Sequence, residues 1–291
     1  MELQIASRKK AKIKLGLSAV SGGGKTYTAL LIAYGLCSDW SKVAVIDTEN
    51  CSAELYSHLG KYNTLPLEAP YSPERYIEAI STCEKAGMEV IIIDSITHEW
   101  DGKGGVIDIS NSMTGNSFTN WAKLTPRHQS FIDAILQSKC HVITTVRRKQ
   151  DYEMTKDSSG KLQVQKAGLK EITREGFEYE LTANLELDTN HNAIASKDRT
   201  GLFAGKPHFI PTIATGVMIK EWCEKGVEAP PPPAAWFLTP ESQSELQALI
   251  KSSTLDTKSA DVAATVIAGA KDQGTIDKIK TRLLQVQTPT L

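Results

Sequence analysis

Short apolar runs and longer stretches of helical periodicity alternate along the first three quarters of this chain. Residues 13–17 (Ile-Lys-Leu-Gly-Leu) read as a strand, and residues 26–36, with Leu30, Leu31 and Tyr34 on one face, as a helix. Residues 43–46 form a short apolar run ending in Asp47, and residues 52–59 carry a helical pattern. Residues 73–86 begin with Pro73 in the first turn and place Ile77, Ile80 and Cys83 together. Residues 90–93 are four apolar, mostly β-branched residues ending in Asp94, a second strand signal of the same type. A helix is predicted over 126–137 and a buried strand over 141–146. Such alternation predicts an α/β fold with a mostly parallel sheet covered by helices on both faces.

The pattern changes after residue 150. Residues 151–173 are polar, with Ser158-Ser159-Gly160 as the turn of a projecting hairpin. Residues 185–188 and 193–196 flank Thr189-Asn190-His191-Asn192 and read as an antiparallel edge hairpin. Four prolines at 230–233 form a stiff linker. Three short helical patterns follow, around Leu246/Leu249/Ile250, Val262/Val266/Ile267 and Ile276/Ile279/Leu283. The expected organisation is a core over 1–228, a proline-rich linker over 229–235 and a small helical module over 236–291.

Composition narrows the class without naming a function. Apolar residues make up 41% and charged residues 23% of the 291, and the net charge is −1. No global field recruits nucleic acid, so any such contact must come from local basic patches. The five cysteines are widely spaced without a Cys-x-x-Cys pair, which fits reduced thiols in a cytoplasm. The six histidines show no metal-ligand spacing. No apolar run is long enough for a membrane span.

The chemistry concentrates at residues 19–26, Ala-Val-Ser-Gly-Gly-Gly-Lys-Thr, between the first strand and the first helix. Ser21, Gly22, Gly23 and Gly24 can turn backbone N–H groups around an anion, and the helix N-terminus adds partial positive charge. Lys25 would reach the terminal phosphates of ATP, and Thr26 would complete a Mg²⁺ shell. Ala19 stands where the motif has glycine. Asp94, at the end of an apolar strand, is the metal-side acid or else a turn residue. Glu49, just past the strand ending in Asp47, would activate water, or is a solvated loop acid. Asp47 is expected to bond local backbone. Lys197 and Arg199 point to one side of an extended segment; they contact a phosphate or form a charged turn.

Together these residues resemble the RecA-type P-loop ATPases, over roughly residues 13–220. The resemblance implies that Glu49 activates water and that Lys197 and Arg199 reach the nucleotide of a neighbouring subunit. It implies that Tyr56 stacks on adenine, although a half-buried aromatic on a helix satisfies the pattern equally. Residues 94–105, 176–181 and 196–201 are most similar to phage-encoded RecA-like recombination and single-strand annealing ATPases. That implies a homo-oligomer, ring or filament, acting on single-stranded DNA in a bacterial host cytoplasm. Contacts to DNA would come from the loop 101–120 and from Arg147, Arg148, Lys149 and Lys161 onward, with Tyr152 as a stacking aromatic; a solvated hairpin is the alternative. Where the bacterial recombinase ends a strand in Asn-Gln, this chain has Thr144-Thr145-Val146-Arg147. A nucleotide-gated assembly or signalling ATPase, with a protein partner docked on the C-terminal helices, is the competing reading.

Overall fold

The computed structural model describes residues 8–156, 162–227, 240–252, 259, 262–263 and 273–287. The chain divides into two units, Met1–Glu228 and Ala229–Leu291. The expected turn at 158–160 and the proline run at 230–233 lie outside the described residues.

In the first unit an eight-stranded sheet has the order β3-β2-β4-β5-β1-β7-β8, with β6 paired to β5. The strands are β1 (Lys14–Ala19), β2 (Val43–Asp47), β3 (Asn63–Pro66), β4 (Val90–Asp94), β5 (His141–Lys156), β6 (Leu162–Glu171), β7 (Ala183–Leu187) and β8 (Ala193–Asp198). From β3 to β7 all neighbours run parallel, and β6 and β8 are antiparallel to their partners. The central strands β1, β2 and β4 are buried at every position. That is why they read as continuous apolar runs rather than alternating ones.

Two apolar clusters cover the faces of this sheet. One joins α1 (Lys25–Cys37) and α7 (Ile213–Glu224) through Leu30, Ile32, Leu36 and Ile219 to Leu15 and Leu17. The other packs Tyr76 and Ile80 of α2 (Pro73–Lys85) and Phe131 and Ile135 of α5 (Ser117–Gln137) on Ile91 and Ile93. Helices α1 and α7 cross backbone to backbone: a Cβ on Gly35 would sit 2.2 Å from the Ile213 carbonyl, and one on Gly216 would sit 2.2 Å from that of Ile32. Only glycine permits this approach.

The remaining helices α3 (Thr97–Asp101), α4 (Val106–Ser112) and α6 (Phe177–Glu180) are short. Helix α4 and the first turn of α5 occupy more than half of the span expected as a loop at 101–120. Helix α5 starts at Ser117, nine residues ahead of Pro126, and is capped by Asn116, whose side chain accepts from the Phe118 N–H. Residues 52–59 form a 3-10 helix broken at Tyr56 rather than an α-helix.

In the second unit, α8 (Pro240–Ser252) and α9 (Gln273–Gln287) bury Leu246, Ile276 and Leu283, and Ile250 and Ile279 pack beside them. Among the described residues no helix is long and apolar enough to cross a membrane.

Candidate functional site

All three central parallel strands end at one edge of the sheet, and a cleft of about 710 Å³ opens there. Its floor is the loop between β1 and α1. Gly22 and Gly24 both adopt φ +81°, a conformation that L side chains rarely adopt. Gly23 packs on the Ala19 side chain: a Cβ there would come within 2.7 Å of the Ala19 Cβ. Ala19 is fully buried and keeps ordinary strand backbone, so its methyl fits where the motif has glycine.

Lys25 lines the cleft, and its Nζ donates to the carbonyls of Ala19 (3.3 Å) and Val20 (3.1 Å). Burial lowers its pKa from the ordinary lysine value; Asp94 opposes that shift, and the cation of Arg147 adds to it. Thr26 Oγ1 donates to Asp94 Oδ2 at 2.5 Å, and Thr145 Oγ1 to Asp94 Oδ1 at 2.6 Å. Asp94 is buried, which pushes its carboxyl up, and the two hydroxyl donors pull it partly back.

Glu49 comes from the loop after β2. Its own N–H donates to Asp47 Oδ1 at 2.6 Å, while Asp47 Oδ2 accepts from the Ala53 N–H at 2.8 Å. Asp47 thus clamps the backbone of this loop, as expected. The Glu49 carboxylate accepts from Ser95 Oγ at 2.9 Å on Oε1 and from the Arg147 guanidinium on Oε2. Behind it, Thr48 Oγ1 accepts from the Ser95 N–H at 2.9 Å and lies 2.8 Å from His98 Nδ1, tying the β2 and β4 loops together.

The other side of the cleft carries Tyr27, Leu31, Tyr56, His191 and residues 210–212. Tyr56 lies 5.8 Å from Tyr27, ring centroid to centroid, and is partly buried. This aromatic pair and the Ile210-Pro211 segment give the cleft an apolar side.

The remaining expected residues stand elsewhere. Lys197 and Arg199 are not in the cleft. The Lys197 Nζ is buried with no hydrogen-bond partner, and burial, followed by Arg199 beside it, lowers its pKa. The exposed Arg199 donates to the Tyr179 carbonyl at 3.1 Å. Arg148 pairs with Glu186 at 2.6 Å, and Lys149 is exposed. Lys161 lies outside the described residues, as do the contacts of the Tyr152 side chain. Trp100 and Trp121 pack on each other at 5.8 Å.

Arg147 is the main surprise: grouped by sequence with a basic patch, it lies in the cleft on Glu49. The signal that would have found it is its place directly after the apolar run 141–146, at the carboxyl end of a parallel strand. Ser95, directly after Asp94, turns its hydroxyl to Glu49. Thr145 was not singled out at all.

A glycine-rich strand-to-helix turn, a lysine and threonine opening the helix and an acid ending a neighbouring strand define a P-loop nucleotide-binding domain. A family model described as AAA domain matches residues 11–209, and the chain belongs to that family. The first unit is therefore a P-loop ATPase-type domain. A search of curated proteins finds no match.

Proposed function

We propose that the chain hydrolyses ATP with Mg²⁺, as a homo-oligomer acting on single-stranded DNA in recombination or repair. The observation that carries the reading is the convergence of Lys25, Thr26, Asp94 and Glu49 from three loops on one cleft. In this reading Ser21 and Gly22–Gly24 wrap the phosphates and Lys25 leaves its loop carbonyls for the terminal ones. Tyr56 and the Ile210-Pro211 wall take the base. Glu49 orients the attacking water, held in line by Ser95.

The donor set fits Mg²⁺. Thr26 and Asp94 are hard oxygen groups already in contact, and this ion takes one or two carboxylates plus substrate phosphates. Among the described residues no group of three or more His, Cys, Asp or Glu competes as a metal cage. When bound there, the ion would neutralise charge developing on the phosphate oxygens.

The shared-site part of the reading rests on Lys197 and Arg199, a cation pair on the edge hairpin with one buried ammonium left without a partner. Replacing both with alanine should leave nucleotide affinity intact and cut turnover by about 1,000-fold, the scale of a cation supplied in trans. Unchanged turnover removes the shared site. The DNA part draws support from Lys149 and Lys170, both exposed and directly opposite each other on the β5–β6 ribbon. Like charges so placed repel, and Glu175, 3.9 Å from Lys170, offsets only one of the two.

ATP hydrolysis measured with and without single-stranded DNA, across a salt series, tests the whole. Stimulation that fades steeply with salt is expected. A rate indifferent to DNA favours the second reading, a nucleotide-gated assembly or signalling ATPase. Its supporting observation is the separate C-terminal unit with its own small core, where a protein partner would dock.

A further inference from the structure

The Asp47 carboxylate fixes the backbone of Glu49, but a group that orients water must also have its side chain held in place. Ser95 Oγ supplies that hold, donating to Glu49 Oε1 at 2.9 Å. Ser95 is in turn set by Thr48, whose Oγ1 accepts from the Ser95 N–H at 2.9 Å and lies 3.2 Å from the Ser95 carbonyl. Both residues are buried. Thr48 also precedes Glu49 directly, so one hydroxyl governs the carboxylate from two directions.

The outer partner of that hydroxyl is His98, whose Nδ1 lies 2.8 Å from Thr48 Oγ1. His98 is the second residue of α3, a helix of five residues that its neighbours pin on other sides. Thr97 Oγ1 accepts from the Arg147 N–H on β5 at 2.9 Å, and the Glu99 carboxylate lies 3.0 Å from His128 Nδ1 on α5. Tyr71 stacks on the His98 ring, with centroids 5.0 Å apart. The ring is half-buried and is not among the residues lining the cleft. Burial lowers its pKa from the ordinary histidine value, against the opposing pull of Asp94 and Asp101. A ring that is neutral at pH 7 and set back from the phosphates offers them no charge. What it offers is a fixed hydrogen bond.

We propose that His98 is a positioning residue for hydrolysis: through the Thr48 hydroxyl and Ser95 it holds Glu49 in line for the attacking water. This role rests on the ATPase reading above and adds to it a residue that touches neither nucleotide nor water.

Single-turnover hydrolysis and affinity for a slowly hydrolysed ATP analogue, both measured on the full chain, separate this role from a general loss of structure. His98→Ala should slow hydrolysis by about 100-fold, the scale of a small misplacement, with affinity held within about two-fold. His98→Asn sets an amide atom of either polarity where Nδ1 stands and should bring the rate to within about five-fold of wild type. His98→Gln reaches instead toward the Nε2 position and should stay near the His98→Ala rate. Glu49→Gln already lacks the group being positioned, so adding His98→Ala to it should slow hydrolysis by no more than about two-fold. His98→Asn as slow as His98→Ala, His98→Gln as fast as wild type, or a His98→Ala loss that persists in full beside Glu49→Gln overturns the proposal. If His98→Ala fails to fold, the asparagine and glutamine variants, which fill the same space, carry the comparison. Wild-type protein that hydrolyses no ATP, or Glu49→Gln as fast as wild type, defeats the ATPase reading itself, a distinct result from a working glutamate indifferent to residue 98.

Discussion

At the amino end of the β1–β5 pair, Lys14 donates to the carbonyls of Ser138 (2.8 Å) and Cys140 (2.7 Å), and His141 Nδ1 accepts from the Ile13 N–H at 3.2 Å. At the carboxyl end of the same two strands, Lys25 lies beside the loop after β1 and Arg147 rests on Glu49. Both ends bury polar groups and both shift pKa values. Lys14 is lowered to about 8 and His141 to about 3, each mainly by burial. The difference lies in the partners. The amino end bonds chiefly to main chain that cannot move away, with one side-chain contact between His141 Nε2 and Lys12 Nζ at 3.3 Å, whereas the carboxyl end pairs side chains that can trade partners in an open cleft. Buried polarity marks a binding site only in the second arrangement; in the first it ties a loop to the sheet.

Substitutions should separate the two ends by what they damage. Lys25→Ala is expected to weaken ATP binding by about 1,000-fold with little change in melting temperature, because a charge-assisted phosphate contact is lost. Isothermal titration reads it, and normal affinity would strip the cleft of its assigned role. Glu49→Gln should retain binding while single-turnover hydrolysis falls by a few hundred-fold, roughly the worth of a positioned base. At the other end, Lys14→Ala should cost about 3 kcal/mol of stability, since two buried carbonyls lose their donor. Denaturant melts would show the loss while ATP affinity stays unchanged; damaged affinity with intact stability would reverse the comparison.

The smallest effect is one of pH. The folded-state value of His141 lies well below its ordinary 6.5, so the unfolded chain takes up the proton first. This contribution to stability is full above that ordinary value and declines as pH falls toward about 3. Between pH 7 and pH 5 the loss should be about 2 kcal/mol, and His141→Asn should flatten the dependence.

Much of this was legible from local pattern. Continuous apolar runs ending in Asp47 and Asp94 mark β2 and β4, and the glycines with Lys25 and Thr26 mark the phosphate loop, because each signal lies within a few residues. Strand β3 escaped, being four residues at the sheet edge with none of them buried. The early start of α5 escaped because Pro126 looks like a beginning, although a proline inside a long helix is tolerated when tertiary packing holds the rest. Arg147 was misleading for a different reason. Its partner Glu49 is 98 residues away, and the neighbouring Arg148 and Lys149 make it look like part of a charged surface. Only the register of β5 beside β1, which sets Arg147 opposite Ala19, brings it to the phosphate loop.

The glycine crossing of α1 and α7 has a consequence at some distance from itself. Helix α1 begins at Lys25 and Thr26, while α7 begins directly after Pro211 and Thr212, so each helix carries one jaw of the cleft at its tip. With their spines touching at Gly35 and Gly216, the gap between the jaws is gauged by the thickness of bare main chain. A single methyl group at either position would wedge the spines apart and widen the bite, altering the grip on a base without touching any residue that meets it.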